Sequence, residues 1–110
     1  MKYFMGAYAS SPNVGDWDPA LETRYYNEIK SFDNVMGLEH PFAGSLHNKD
    51  EDWFLANIDP NWEFVFTCIP GVMGAIGKNP NFGIASDDDA GRQEALAFIL
   101  KARDAIAKLN

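Results

Sequence analysis

The chain has 110 residues, of which 46% are hydrophobic and 14% are aromatic, a composition that suits one globular domain with a modest core. Its net charge of −7 at pH 7 argues against a nucleic-acid partner, which usually requires a basic face, and it disfavours anionic membranes. A single cysteine cannot form an internal disulfide and is typical of a reducing compartment. No run of apolar residues is long enough for a secretory signal or a spanning helix, so we expect a cytoplasmic protein.

Apolar strand-like runs alternate with amphipathic helix-like segments along the whole chain. The pattern predicts strands over 3–8, 35–40 and 63–69, and helices over 19–32, 49–58 and 87–109. The predicted N-caps are Asp18 followed by Pro19, a capping box of Asn48 with Glu51, and a second box of Ser86 with Asp89. The glycine-rich segment 70–86 is predicted as a long loop, and loops of that length are usually functional or mobile.

Two helices carry apolar stripes that predict their buried faces. In the first helix the stripe is Leu21, Tyr25, Ile29 and Phe32. In the last helix it is Ala95, Ile99, Ala102, Ile106 and Leu109. Because the strands begin about 30 residues apart and βα crossovers are right-handed, we predict an α/β fold of three consecutive βα units with parallel strands in one domain over 1–110.

The carboxyl ends of parallel strands are where α/β folds bind ligands, and polar groups occur there in this sequence. Alternation places Glu39 on one side of its strand, together with Gly6 and Tyr8 of the first strand and Thr67 of the third. A one-residue shift in register would instead point His40 to that side.

A phosphate-binding loop is not present. Counting back from Gly77-Lys78, a Walker A motif needs a glycine where Val72 stands, and it needs Ser or Thr where Asn79 stands. No G-x-G-x-x-G motif occurs either, so the sequence gives no support for a nucleotide site.

Four segments give the chain a resemblance to a known group of proteins. EHPFAGSLH, DWFLANI, FTCIPGVMGAIGKNPNFGIASDDDAGR and the alanine-rich last helix are similar to an uncharacterised bacterial family of xylose-isomerase-like TIM barrels. The resemblance covers essentially the whole chain and implies the first three units of a (β/α)8 barrel. It also implies sugar isomerase or epimerase chemistry with a divalent metal, whose ligands lie on later strands outside this sequence.

The candidate residues each have a functional and a structural interpretation. Glu39 is a candidate acceptor of a substrate hydroxyl or a helper in proton transfer, or it is a solvated acid paired with a basic side chain. His40 is a second catalytic candidate, or it packs beside Pro41. Tyr8 is a candidate sugar-binding group, or a core aromatic residue whose hydroxyl reaches water.

The remaining candidates lie in the second half of the chain or in polar loops. His47, Thr67 and Arg92 are candidate substrate-binding residues; His47 is otherwise a solvated loop residue, and Arg92 could be held for a ligand or for Glu39. Cys68 is interpreted as a small buried hydrophobic residue. The run Asp87–Asp89 is interpreted as capping and helix-dipole acids, so no metal site is predicted in this chain.

Two hypotheses from different classes follow. In the first, the chain is part of a carbohydrate isomerase or epimerase barrel, contributes substrate-binding groups and is inactive alone. In the second, it is a non-catalytic α/β domain that associates with itself or a partner, because an isolated three-stranded sheet exposes two edges.

Overall fold

The computed structural model describes residues 1–109. It contains three strands, β1 (Tyr3–Met5), β2 (Val35–Pro41) and β3 (Glu63–Thr67). The helices are α1 (Ala7–Ser10), α2 (Pro19–Lys30), α3 (Glu51–Asn57), α4 (Ile69–Lys78) and α5 (Asp89–Ala107). None of these helices is long and apolar enough to cross a membrane.

The strands form one parallel sheet in the order β1-β2-β3, as the alternation of strands and helices predicts. In the pairing of β1 with β2, Phe4 lies opposite Gly37 and Met5 lies opposite Leu38. An irregularity between Tyr3 and Phe4 shifts the register by one residue. The sheet places the carboxyl ends of β1 and β2 at the same edge, where Glu39 lies.

The chain divides into two compact units, each with its own buried side chains. Among the described residues, the first unit comprises 1–40 and 49–65, and the second comprises 41–48 and 66–109. The largest buried residues of the first unit are Tyr26, Ile29, Leu38, Phe54 and Trp62. Those of the second unit are Phe42, Leu46, Phe82 and three alanines of α5, Ala95, Ala102 and Ala105.

Two predicted strands are longer than the observed ones. The first strand ends at Met5 rather than residue 8, and the chain turns directly into the short helix α1. The third strand ends at Thr67 rather than residue 69, because Cys68 becomes the N-cap of α4. Tyr8 therefore lies on a helical turn after the strand and not on the strand itself.

The prediction of a long unstructured loop over 70–86 is wrong, because helix α4 occupies residues 69–78. Three glycines lower the helix propensity of this segment by about 1 kcal/mol each relative to alanine, which hides the helix from a sequence pattern. The end signals are nevertheless present, since Pro70 stands in the first turn and Lys78 in the last.

The predicted helix caps are confirmed at one position and shifted at two. The Asp18 side chain accepts hydrogen bonds from the amides of Ala20 and Leu21, as predicted. The N-cap of α3 is Asp50, not Asn48, and the N-cap of α5 is Asp88, not Ser86. Aspartate fits the N-cap as well as asparagine or serine does, so the spacing alone left several starts open.

The buried faces of α2 and α5 also differ from the predicted stripes. In α2 the buried residues are Glu22, Tyr26 and Ile29, whereas Phe32 is 52% exposed. In α5 Ala95 and Ala102 are buried as predicted, Ala105 is buried in addition, and Ile99 is 45% exposed. Glu22 can be buried because Ser11 donates a hydrogen bond to its Oε2 at 2.7 Å. The apolar pattern of the sequence does not predict this polar contact.

Alkaline pH is expected to unfold the first unit through Tyr26. Burial, with the charge of Glu22 and the neighbouring Tyr25, raises the pKa of Tyr26 well above 10.0. Its contribution to stability is therefore fully present below pH 10 and is lost as the pH rises through the folded-state pKa.

The check is to follow tyrosinate absorbance and circular dichroism together during an alkaline titration. Ionisation of the last of the four tyrosines should coincide with the loss of helical signal. Ionisation of all four with an unchanged circular dichroism spectrum would contradict this assignment.

Candidate functional site

Tyr8 and Glu39 form a polar pair beside the carboxyl ends of β1 and β2. The hydroxyl of Tyr8 donates a hydrogen bond to Oε1 of Glu39 at 3.2 Å. A Cβ added at Gly6 would lie 3.4 Å from Oε2 of Glu39, so the same carboxylate also lies against the backbone that follows β1. Gly6 and Tyr8 thus lie near Glu39, as predicted, but they belong to the start of α1 and not to a strand face.

The alternation of side chains along β2 separates Glu39 from its neighbours. Leu38 and His40 are buried, whereas Glu39 is half-buried and reaches Tyr8, which is 48% exposed. Successive side chains of a strand point to opposite faces, so the two titratable residues at the end of β2 face different surroundings. Only Glu39 lies on the side of Tyr8.

Hydrogen bonds to α2 hold the segment that carries Tyr8. The hydroxyls of Ser10 and Tyr25 are hydrogen-bonded to each other, and Ser10 also donates to the carbonyl of Gly6. Ala7, at the start of α1, is buried. Ser10, at the end of α1, is therefore connected both to α2 and to Gly6, the N-cap of α1.

The protonation state of Tyr8 suits a hydrogen-bond donor. Loss of hydration raises the pKa of Tyr8, and the negative charge of Glu39 and the hydrogen bond to it raise it further. The phenol therefore stays protonated at neutral pH. The separation of 3.2 Å is longer than the 2.7–2.8 Å typical of O–H···O bonds, and the pair is exposed to solvent.

The environment of His40 is that of a packed ring. It is 6% exposed and stacks on Phe54 with ring centroids 4.4 Å apart. This packing favours the structural interpretation of His40. Its catalytic role stays a prediction.

The other predicted site residues lie in the second unit. Thr67 is half-buried at the end of β3, where its carbonyl accepts the amide of Phe42 at 2.8 Å. The carbonyl of His47 accepts a hydrogen bond from the hydroxyl of Ser45 at 3.2 Å. Both contacts involve the backbone, so the side-chain roles of these two residues also stay predictions.

Arg92 is held within its own segment. Its guanidinium donates to the carbonyl of Ser86 at 2.7 Å and forms an ion pair with Asp89 at 2.9 Å. These contacts tie the loop before α5 to the first turn of that helix. The helix dipole does not favour an arginine at a helix N-terminus. These two contacts give Arg92 a structural role at that position.

Within residues 1–109 no group of three or more histidine, cysteine, aspartate or glutamate side chains could hold a metal ion. Asp88 caps α5 by accepting from the amide of Gly91, which agrees with the interpretation of the aspartate run as capping acids. Burial raises the pKa of the Cys68 thiol, which agrees with an unreactive, partly buried cysteine.

The fold and the strand-end pair define an α/β protein whose three-stranded parallel sheet alternates with helices. The chain belongs to the family described as domain of unknown function DUF4862, whose model matches residues 4–110. It is 29% identical over 108 residues to an uncharacterized protein of Salmonella typhimurium, a match that covers 98% of this chain. The chain spans about a third of that relative's length, 35%. No solved structure matches the chain.

Tyr8 and Glu39 were predicted from the sequence as candidates, whereas the hydrogen bonds around Tyr8 were not. The contact of Ser10 with Tyr25 and that of Ser11 with buried Glu22 join residues far apart in the sequence. The available signal was Glu22 itself, an acid one position away from the predicted apolar stripe. The short helix α1, which follows β1 directly, has no recognisable pattern in the sequence.

Proposed function

We propose that this chain forms the first three βα units of a (β/α)8 barrel of the xylose-isomerase-like type, and that the barrel isomerises or epimerises a sugar. The observation that carries the proposal is the Tyr8–Glu39 pair at the carboxyl end of a parallel sheet, the edge where barrels of this kind bind substrate. The resemblance of the sequence motifs to that family supports the choice of a sugar.

The sheet and the length of the relative both agree with this architecture. Consecutive strands are adjacent, and helices separate them in sequence, which is the arrangement of successive barrel units. Three units are three-eighths of a barrel, and the chain covers 35% of its Salmonella relative. The remaining two-thirds of such a protein are long enough for five more units.

The chemistry of the pair suits a sugar hydroxyl. Such a hydroxyl can donate to the carboxylate of Glu39 and accept from the phenol of Tyr8, which uses both of its hydrogen-bonding functions. In this role Glu39 binds and orients the substrate, and it can take the proton of that hydroxyl as a general base. The metal ligands that the resemblance implies lie on later strands, so the residues of this chain are assigned only the binding and proton-transfer roles above.

A second candidate function is a non-catalytic domain that associates with itself or docks on a partner. The observation that favours it is the edge strand β1, where Tyr3 and Phe4 are 49% and 39% exposed. An exposed apolar edge strand is a template for pairing with another chain.

The test of the proposed activity uses the longer Salmonella relative, which contains the matched region within a larger chain. We expect it to convert at least one sugar in a panel of aldoses and ketoses, such as xylose, xylulose, glucose and fructose, assayed with and without added divalent cations. The products would be resolved by chromatography.

No conversion of any sugar, together with sedimentation of the present chain as a dimer, would contradict the proposal. That result would favour the second candidate function. If the relative converts a sugar and the present chain sediments as a monomer, the second candidate function is excluded.

A further inference from the structure

The second unit contains a cavity of about 480 Å³ between α4 and α5. Small-molecule sites usually have volumes of roughly 300–1,000 Å³, so the cavity is large enough for a metabolite. From α4 it is lined by Gly71, Gly74 and Lys78, and from α5 by Glu94, Phe98 and Lys101. Within each set the residues are three and four positions apart, which places them on one face of their helix.

The charges around this cavity differ from those of the rest of the protein. Two lysines and one glutamate line it, in a chain whose net charge is −7. Within residues 1–109, neither Lys78 nor Lys101 forms an ion pair with a carboxylate. Glu94 accepts a hydrogen bond from Nδ2 of Asn79 at 2.9 Å. The local excess of positive charge at a concave surface attracts anions.

Two glycines of α4 contribute to the cavity in different ways. A Cβ at Gly71 would lie 2.4 Å from the ring of Phe98, so this glycine allows the two helices to approach closely. A Cβ at Gly74 would meet nothing within 4 Å. Packing in this unit therefore does not require glycine at position 74. Glycine in a helix interior is destabilising, so its presence here has a cost. The absence of a side chain at this position keeps the cavity open.

We infer that this cavity binds a small organic anion, in which a carboxylate or phosphate group is attached to a flat apolar body. The lysines supply the charge for the anionic group, and the ring of Phe98 supplies an apolar wall for the body. This inference is independent of the proposed sugar site, which lies in the first unit.

The first test measures binding of benzoate, phenyl phosphate and neutral benzamide by the chemical shifts of the glycine amides in α4. We expect benzoate, phenyl phosphate or both to shift the amide signals of Gly71 and Gly74. Benzamide should leave these signals unchanged. The anion that binds more tightly shows whether the site prefers a carboxylate or a phosphate group. Lys78→Gln and Lys101→Gln should each weaken binding about fivefold, the effect of one solvent-exposed charge at contact distance. Lys30→Gln is the control, since Lys30 stands in the last turn of α2 as Lys78 does in α4.

The second test fills the cavity without removing a charge. Gly74→Leu should abolish binding of the anion, whereas Gly77→Leu should leave it unchanged, because Gly77 also has open space around it but does not line the cavity. Circular dichroism would confirm that both variants keep their helices. Equal shifts with benzamide, no shift with either anion, or unchanged binding in Gly74→Leu would each overturn the inference.

Discussion

Gly37→Ala is expected to destabilise the protein by about 3 kcal/mol, because the added methyl group has no room in the sheet. A Cβ at this position would lie 1.8 Å from the carbonyl oxygen of Glu63, 2.6 Å from its carbonyl carbon and 2.8 Å from its amide nitrogen. All three atoms belong to the backbone, so no side chain can rotate away. The clash can be relieved only by moving β2 away from the start of β3.

Urea denaturation followed by circular dichroism measures this effect through the midpoint and the slope of the transition. Gly15→Ala is the matched control, because a Cβ there meets nothing within 4 Å. We expect the control to change the free energy of unfolding by less than about 0.5 kcal/mol, as for most surface positions. Equal stability of the two variants would show that β2 and β3 do not approach as closely as described.

The same variant links the sheet to the candidate site. Gly37 and Glu39 both belong to β2, so a displacement of that strand also moves the carboxylate away from Tyr8. Whatever ligand the pair binds should therefore bind more weakly to Gly37→Ala than the loss of folded protein alone explains.

The alternation of strands and helices could be predicted from the sequence because each signal is local. The apolar runs at 35–40 and 63–69 and the cap at Asp18 depend on neighbouring residues; the cap and both strands are observed, although the second of these strands ends at Thr67. The side of β2 on which Glu39 lies also followed from alternation, which is a property of any strand.

The features that the sequence did not predict depend on contacts between distant residues. Helix α4 contains Gly71, where a side chain would meet the ring of Phe98 and the carbonyl oxygen of Phe42. Glu22 occupies a buried position because Ser11 supplies its hydrogen bond. The cavity between α4 and α5 was missed for the same reason, since a helix predicted as a loop cannot present a face.

Glu39→Gln is expected to reduce the binding of a sugar by at least about tenfold. A hydrogen bond to a charged group contributes about 1.5–3 kcal/mol, and the amide removes the charge while it keeps the shape. Tyr8→Phe should weaken binding less, because it removes a neutral donor. Glu63→Gln is the control for the acid, since Glu63 lies at the opposite end of its strand, and Tyr3→Phe is the control for the phenol.

The measurement that tests the central claim most directly is the affinity of this chain and these four variants for the sugars of the panel, from amide chemical-shift titrations. We predict sugar-dependent shifts at Gly6, Tyr8 and Glu39 that weaken in Glu39→Gln and Tyr8→Phe and are unchanged in Glu63→Gln and Tyr3→Phe. Shifts that are absent from these residues, or that are equal in Glu39→Gln and the unmodified chain, would contradict it.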